Sequence, residues 1–290
     1  MRHIVLRHPL RTLRALWTYC QVLTAGQREE RLLFRGGEDE FVRRAAGNGG
    51  RLLVGTGFCQ KPLHAVPRQR SRDASAAPPN PAQDMAGLRR RRDASAAPPN
   101  PAQDMAGLRR RRDASAAGSG YDCPAGRFDH DCLYLSRLEL DSRSEVQFHP
   151  ACTDCSIRIL GHAALRAGAS FAVLTSALDI AHDILLPALE ERRFTRVLFA
   201  ICPYSVEPMS LALLISGVEG CIFHYHARAC ADYSQWLRAD GGDKPERTVL
   251  SPQTLARLLG LLETVAARRC SRGNARPMRY QQVSHVFRPH

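Results

Sequence analysis

No run of about eighteen apolar residues occurs in this chain, which removes a membrane-spanning helix from the reading. The sequence also has no G-x-x-x-x-G-K-[ST], no G-x-G-x-x-G at a strand–helix turn and no G-x-S-x-G. Nucleotide binding and serine hydrolysis therefore have no motif behind them. A secretory apolar core is missing as well, because Arg14, Thr18 and Gln21 interrupt the N-terminal stretch where it would lie. Acidic side chains are absent before Glu29, which gives the N-terminus the arginine-rich look of an organelle targeting segment. Leu10, Leu13, Trp17 and Cys20, however, follow one another at helical steps, and Pro9 suits a first turn. This favours an integral amphipathic helix packing on a body, within an N-terminal unit at 1–35. With no export signal, the ten cysteines are expected to serve metal or thiol chemistry in a reducing, cytoplasmic compartment, not a disulfide framework.

The net charge of +13 invites a nucleic-acid reading, and its distribution argues against one. Residues 1–35 contribute +5, residues 68–117 contribute +6 and residues 268–290 contribute +6, which leaves −4 for everything else. A basic groove built into the body is not indicated, although an arm could still meet phosphates. The segment 68–117 contains Arg72–Arg91, repeated letter for letter by Arg92–Arg111 and begun a third time at Arg112. Each copy holds three prolines and, as large hydrophobes, one Met and one Leu, so it cannot build a packed repeat. We expect a disordered tandem-repeat insert whose arginine blocks are the one plausible contact with nucleic acid.

Outside the insert, short apolar runs alternate with helical periods. Strands are expected at 51–58, 170–175, 196–201 and 221–225, and helices at 157–166, 177–193 (kinked at Pro187), 207–216 and 252–269. The alternation predicts an α/β protein: a three-layer parallel sheet with helices on both faces, plus the N-terminal helix and the long insert. The first part of the body spans 36–67, the cysteine-rich part 118–270, and a basic tail at 271–290 is expected to be disordered. Cys59 and Cys202 each follow a predicted strand and so belong at the carboxyl edge, where α/β sheets keep their sites.

The strongest chemical signal is Cys152-Thr-Asp-Cys155, because a two-residue gap lets both thiolates reach one metal. It precedes a helix whose N-terminal amides favour a thiolate or an anionic cluster. Cys123 and Cys132 would complete a four-thiolate site, with Cys59 or Cys202 as substitutes, and Pro124–Gly126 suits a tight turn of amides. Spacing alone leaves iron–sulfur and zinc both open. Cys202, at a strand-to-helix corner before Pro203, is also a candidate catalytic nucleophile. His130 and His149 are available as mixed ligands.

The stretch Cys-Thr-Asp-Cys-Ser-Ile157, the strand-end Cys202, and the later Cys221 and Cys230 resemble a cysteine-rich prokaryotic family catalogued as domain of unknown function 116. The resemblance covers about residues 150–232. It implies a metal-binding, iron–sulfur α/β protein and names no reaction. The expected function is thus iron–sulfur cluster binding with an electron-transfer or accessory redox role, beside an unidentified redox partner protein. Two alternatives stand: a zinc-stabilised, non-catalytic binding module, and a thiol-dependent enzyme using Cys202.

Overall fold

The computed structural model describes residues 9–23, 30–33, 37–47, 51–62, 123–126, 130–140, 149–240, 246–273 and 277–290. The chain divides into one unit of Met1–Leu63 with Tyr121–His290 and a second of His64–Gly120. The second unit, and with it the repeat insert expected at 68–117, lies outside the described residues.

Among the described residues seven strands form one sheet: β1 (Glu30–Leu32), β2 (Leu52–Gly57), β3 (Ser170–Leu174), β4 (Arg196–Ile201), β5 (Glu219–His224), β6 (Tyr280–Val283) and β7 (Val286–Pro289). They run in the order β1-β5-β4-β2-β3-β7-β6. The centre, β5-β4-β2-β3, is parallel, as the strand–helix alternation predicts. The edges are not: β1 pairs antiparallel with β5, β7 with β3, and β6 with β7. The expected parallel sheet is thus the centre of the fold, and antiparallel strands extend it at both edges.

Helices cover both faces, in chain order α1 (Pro9–Leu23), α2 (Gly37–Gly47), α3 (Leu133–Arg137), α4 (Ser156–Arg166), α5 (Ala177–Ile180), α6 (Leu186–Glu191), α7 (Pro203–Ile215), α8 (Tyr233–Asp240) and α9 (Pro252–Ser271). The two-residue period of a strand sorts its side chains between two cores. Leu52, Val54, Phe171, Val173, Leu198 and Phe223 join Phe41, Leu160 and Leu262 on one side. Leu53, Ala172, Val197, Phe199 and Ile222 join Leu185 and Leu213 on the other. That is the three-layer arrangement. Within the described residues no helix is long and apolar enough to cross a membrane.

Several local expectations hold. Ser251 caps α9 by accepting from the Thr254 amide. Gly168 takes a positive φ of 64° just past α4, where a side chain would be strained. The long helix after β3 is interrupted: Ala181–Leu185 is a π-helical turn joining α5 to α6, immediately before Pro187. Helix α7 starts four residues earlier than its apolar pattern shows, because Pro203 is well suited to a first helical turn and Cys202 takes the cap.

Two expectations fail. The tail placed at 271–290 as disordered contains instead the β6–β7 hairpin, which adds to the sheet beside β3 and buries Tyr280, Val286 and Phe287. The Tyr280 hydroxyl donates to the Gly161 carbonyl at 2.8 Å, which ties the hairpin to α4. Few apolar residues and many arginines concealed a short strand pair that needs the β3 edge to exist at all. The N-terminal helix does form, but its predicted packing stripe faces outward, with Leu10, Leu13 and Trp17 81%, 64% and 66% exposed. The small Ala15 turns inward instead, and α1 lies against α7. Helical spacing identifies a stripe; the partner's surface decides which face packs.

Candidate metal centre

The connections on either side of β2 and β4 leave in opposite directions: β2 leads to β3 on one side and β4 leads to β5 on the other. Such a switch point opens a crevice at the carboxyl ends of the two strands. Cys59, in the 3-10 turn Phe58–Gln60 after β2, and Cys202, directly after β4, both lie there. Cys202 makes thiol–thiol contacts with Cys230 and Cys59. Beneath them the buried Tyr225 hydroxyl accepts from the Gly57 amide (2.7 Å), donates to the Ala200 carbonyl (2.7 Å) and lies 3.1 Å from Thr56 Oγ1. A Cβ on Gly57 would come within 2.9 Å of that hydroxyl and 3.2 Å of the Cys59 sulfur, so glycine is what lets the two meet. The neighbouring Gln60 is fully buried; its Oε1 accepts from Thr56, while its Nε2 has no partner among the described residues. These thiols line a cavity of about 320 Å³ together with Tyr204, Tyr225 and Trp236, a volume in the range of small-molecule sites.

A second group of thiols assembles from loops. Cys123 begins a tight turn closed by the Gly126 amide on its carbonyl (3.0 Å), the turn that Pro124–Gly126 predicts. Cys132 caps α3, Cys152 ends the 3-10 turn Pro150–Cys152, and Cys155 caps α4. They act on one another electrostatically: Cys155 and Cys123 disfavour the ionised form of Cys132 and of Cys152, and Cys123 that of Cys155. The four residues expected as a ligand set are thus linked electrostatically, although among the described residues no three thiols lie within 4.8 Å of one another. Burial, then the neighbouring thiols, pushes Cys132 up to about 12, and burial is also the main cause raising Cys152 and Cys155. The Arg158 and Ile157 amides of α4 act on Cys155 in the opposite sense, although neither makes a well-formed capping hydrogen bond.

Three cations frame this group. Lys61 donates to the carbonyls of Gly126 (2.6 Å) and Asp131 (3.2 Å), holding the two loops that carry Cys123 and Cys132. Arg158 donates to the Cys152 and Thr153 carbonyls, both at 2.7 Å. Arg247 donates to the Asp154 carbonyl at 2.6 Å. Each cation favours the ionised form of a different thiol: Lys61 that of Cys132, Arg158 that of Cys152, Arg247 that of Cys155. The next residue, Thr248, donates its amide to the Cys59 carbonyl (3.0 Å), so one short segment bridges the two thiol groups.

Spacing separates two kinds of occupant. A tetrahedral zinc with bonds of about 2.3 Å holds its four sulfurs about 3.8 Å apart. Among the described residues one trio of His, Cys, Asp or Glu ligand atoms lies within 4.8 Å of one another, and it contains no thiol: His130, Asp179 and His285. Among the described residues, then, no three thiols meet the spacing of a single ion. A multi-atom cluster spans a wider spacing, and the surrounding cations and turn amides fit an anionic group.

The remaining sequence candidates separate clearly. Cys202, the candidate nucleophile, is buried, and Cys230, Cys59 and burial push its thiol far above the usual range. That reverses the low pKa expected of a thiol at a helix N-terminus: neighbouring thiols and desolvation outweigh the opposing hydrogen bond from the Cys230 backbone. As a substitute ligand, Cys202 belongs with Cys59 in the other group. His149 accepts from the Ala151 amide and caps its own turn. Cys221 is a core residue of β5. Lys61 and Arg247 carried no sequence signal, since nothing local marks a cation as the neighbour of distant thiols. Comparison with protein-family models, with curated proteins and with solved structures finds no match, so the resemblance of residues 150–232 rests on their own cysteines.

Proposed function

We propose that the chain binds an iron–sulfur cluster through Cys123, Cys132, Cys152 and Cys155 and works in electron transfer or as an accessory to a redox enzyme, beside a protein partner. The observation that carries this reading is the mutual electrostatic influence of four thiols from three separate loops, each of Cys132, Cys152 and Cys155 beside one of Lys61, Arg158 and Arg247. Such a cluster supplies one-electron chemistry when bound. The chain's own residues hold and tune it: the cations offset its negative charge, the α4 amides favour the Cys155 thiolate, and burial of Cys132 and Cys155 limits solvent access. Among the described residues no three thiols lie within 4.8 Å of one another, which favours a multi-atom cluster over a zinc-stapled module. The apolar cavity lined by Cys59, Cys202 and Cys230 lies at the switch point and gives a small redox substrate a place to sit.

The test is protein purified without oxygen, with metal and sulfide analysis and an absorption spectrum. Brown protein with broad visible absorption that bleaches in air is the expected outcome. Colourless protein with stoichiometric zinc overturns the reading and promotes the zinc-stabilised module.

A further inference from the structure

The C-terminal hairpin carries His285 at its tip, between Val283 and Val286, where Ser284 adopts a positive φ of 58° to close a two-residue turn. The tip reaches the carboxyl end of β3. There His285 stacks on His130, ring centroids 3.7 Å apart and planes inclined by 17°. Asp179, in the first turn of α5, completes the trio: one ring nitrogen of each histidine and one of its carboxylate oxygens all lie within 4.8 Å of one another. His130 Nε2 is 3.4 Å from Asp179 Oδ2. A tetrahedral ion with bonds of about 2.1 Å sets adjacent ligand atoms about 3.4 Å apart.

We propose that His130, Asp179 and His285 form a second, mononuclear site for a divalent first-row transition metal ion. The surrounding shell is the reason. A metal-bound imidazole donates its other N–H to a carboxylate or a carbonyl, which fixes the tautomer and the ring. His285 Nδ1 is 2.6 Å from Asp183 Oδ2, and His130 Nδ1 is 3.3 Å from the Val173 carbonyl. The His285 ring is therefore held through Nδ1, which leaves its Nε2 to coordinate, while His130 Nε2 also lies 3.1 Å from Thr175 Oγ1, a contact that coordination of the ion would replace. The carboxylate is fixed in the same way, since Asp179 Oδ2 accepts from Thr175 Oγ1 (2.7 Å) and Ser176 Oγ (2.6 Å). Asp179 and Asp183 fall on either side of the start of the π-helical turn at Ala181–Leu185, a distortion that recurs at functional sites. The recess lined by these residues contains Asp179 and Asp183 but no Lys or Arg among its described lining, so a dication balances the local charge. It measures about 10 Å³, about the room one water needs, and three protein ligands leave positions open for it. Imidazole with carboxylate is the donor set of Mn, Fe, Co, Ni and Zn sites.

The site is independent of the thiol centre, and the experiment keeps the two apart. Mn(II), a hard ion with little affinity for thiolates, is titrated into the chelator-treated full chain and followed by loss of the free-ion EPR signal. Co(II) is titrated in parallel and read by its ligand-field bands. One saturable equivalent is expected in the wild type and in Cys152→Ser. His130→Ala and His285→Ala are expected to weaken binding by at least about a hundredfold, and Asp183→Asn, which loses only the carboxylate behind His285, by about tenfold. Circular dichroism establishes that each variant is folded; if His285→Ala is not, His130→Ala and Asp183→Asn decide. Absence of saturable binding of both ions by the wild type overturns the proposal and leaves an ion-paired clasp between hairpin and helix. Equal binding by wild type and folded histidine variants overturns it as well. Loss of binding in Cys152→Ser would assign the ion to the thiol group instead.

Discussion

The two thiol groups are neighbours along the same sheet edge, joined by Arg247 and Thr248, yet they are built on different chemistry. In the loop-borne group each of Cys132, Cys152 and Cys155 has a cation that favours its thiolate. In the switch-point group, Cys202 is raised by Cys230, Cys59 and burial, and the Cys230 backbone amide is the main influence pulling the other way. Tyr204, Tyr225 and Trp236 line its cavity, where the first group has Lys61, Arg158 and Arg247. A thiolate brought out of water needs compensation, which Lys61, Arg158 and Arg247 supply in part and aromatic walls do not.

The largest effect should come from removing a thiol on the charged side. Cys152→Ser or Cys155→Ser is expected to abolish most of the visible absorption of anaerobic protein, while Cys230→Ser keeps it. Equal loss in all three would merge the two groups into one site. Next in size is the packing of the uncharged side. Gly57→Ala forces a Cβ between the Tyr225 hydroxyl and the Cys59 sulfur and should cost about 1–3 kcal/mol in urea unfolding. Tyr225→Phe removes the hydroxyl shared by Gly57, Thr56 and Ala200 and should cost a similar 1–3 kcal/mol, about half of it from stranded buried partners.

Alkylation sharpens the contrast further. Cys20 and Cys270 are exposed and should react first with iodoacetamide, with Cys202 about tenfold slower or more whether or not metal is bound. Peptide mapping over time reads this, and rapid labelling of Cys202 would restore the nucleophile that burial argues against. The smallest effect is electrostatic. Arg247→Gln should leave the absorption intact and shift the midpoint potential to more negative values, since one positive charge is lost beside Cys155. An unchanged potential would place the occupant away from Cys155.

Much of this architecture is legible in the chain. The alternation of strands and helices from residue 156 onward, the Ser251 cap, the stop at Gly168 and the Cys152–Cys155 turn are local events. They depend on periodicity, on side-chain hydrogen bonding to nearby amides and on the φ that glycine permits, so neighbours along the sequence suffice to specify them. The turn at Pro124–Gly126 beside Cys123 was also readable, because proline and glycine mark it locally.

What only the tertiary structure decided is which distant groups meet. Cys230 reaches Cys202 and Cys59 because β2 and β4 are adjacent at a switch point, a fact of strand order that no local pattern encodes. The polar, arginine-rich tail becomes a hairpin because β3 offers an unpaired edge, and only then does His285 come to lie on His130. The outward face of α1 follows from the surface of α7 in the same way. Local free energies choose the elements; backbone pairing and burial between remote segments choose their neighbours, and the chemistry of this protein depends on those neighbours.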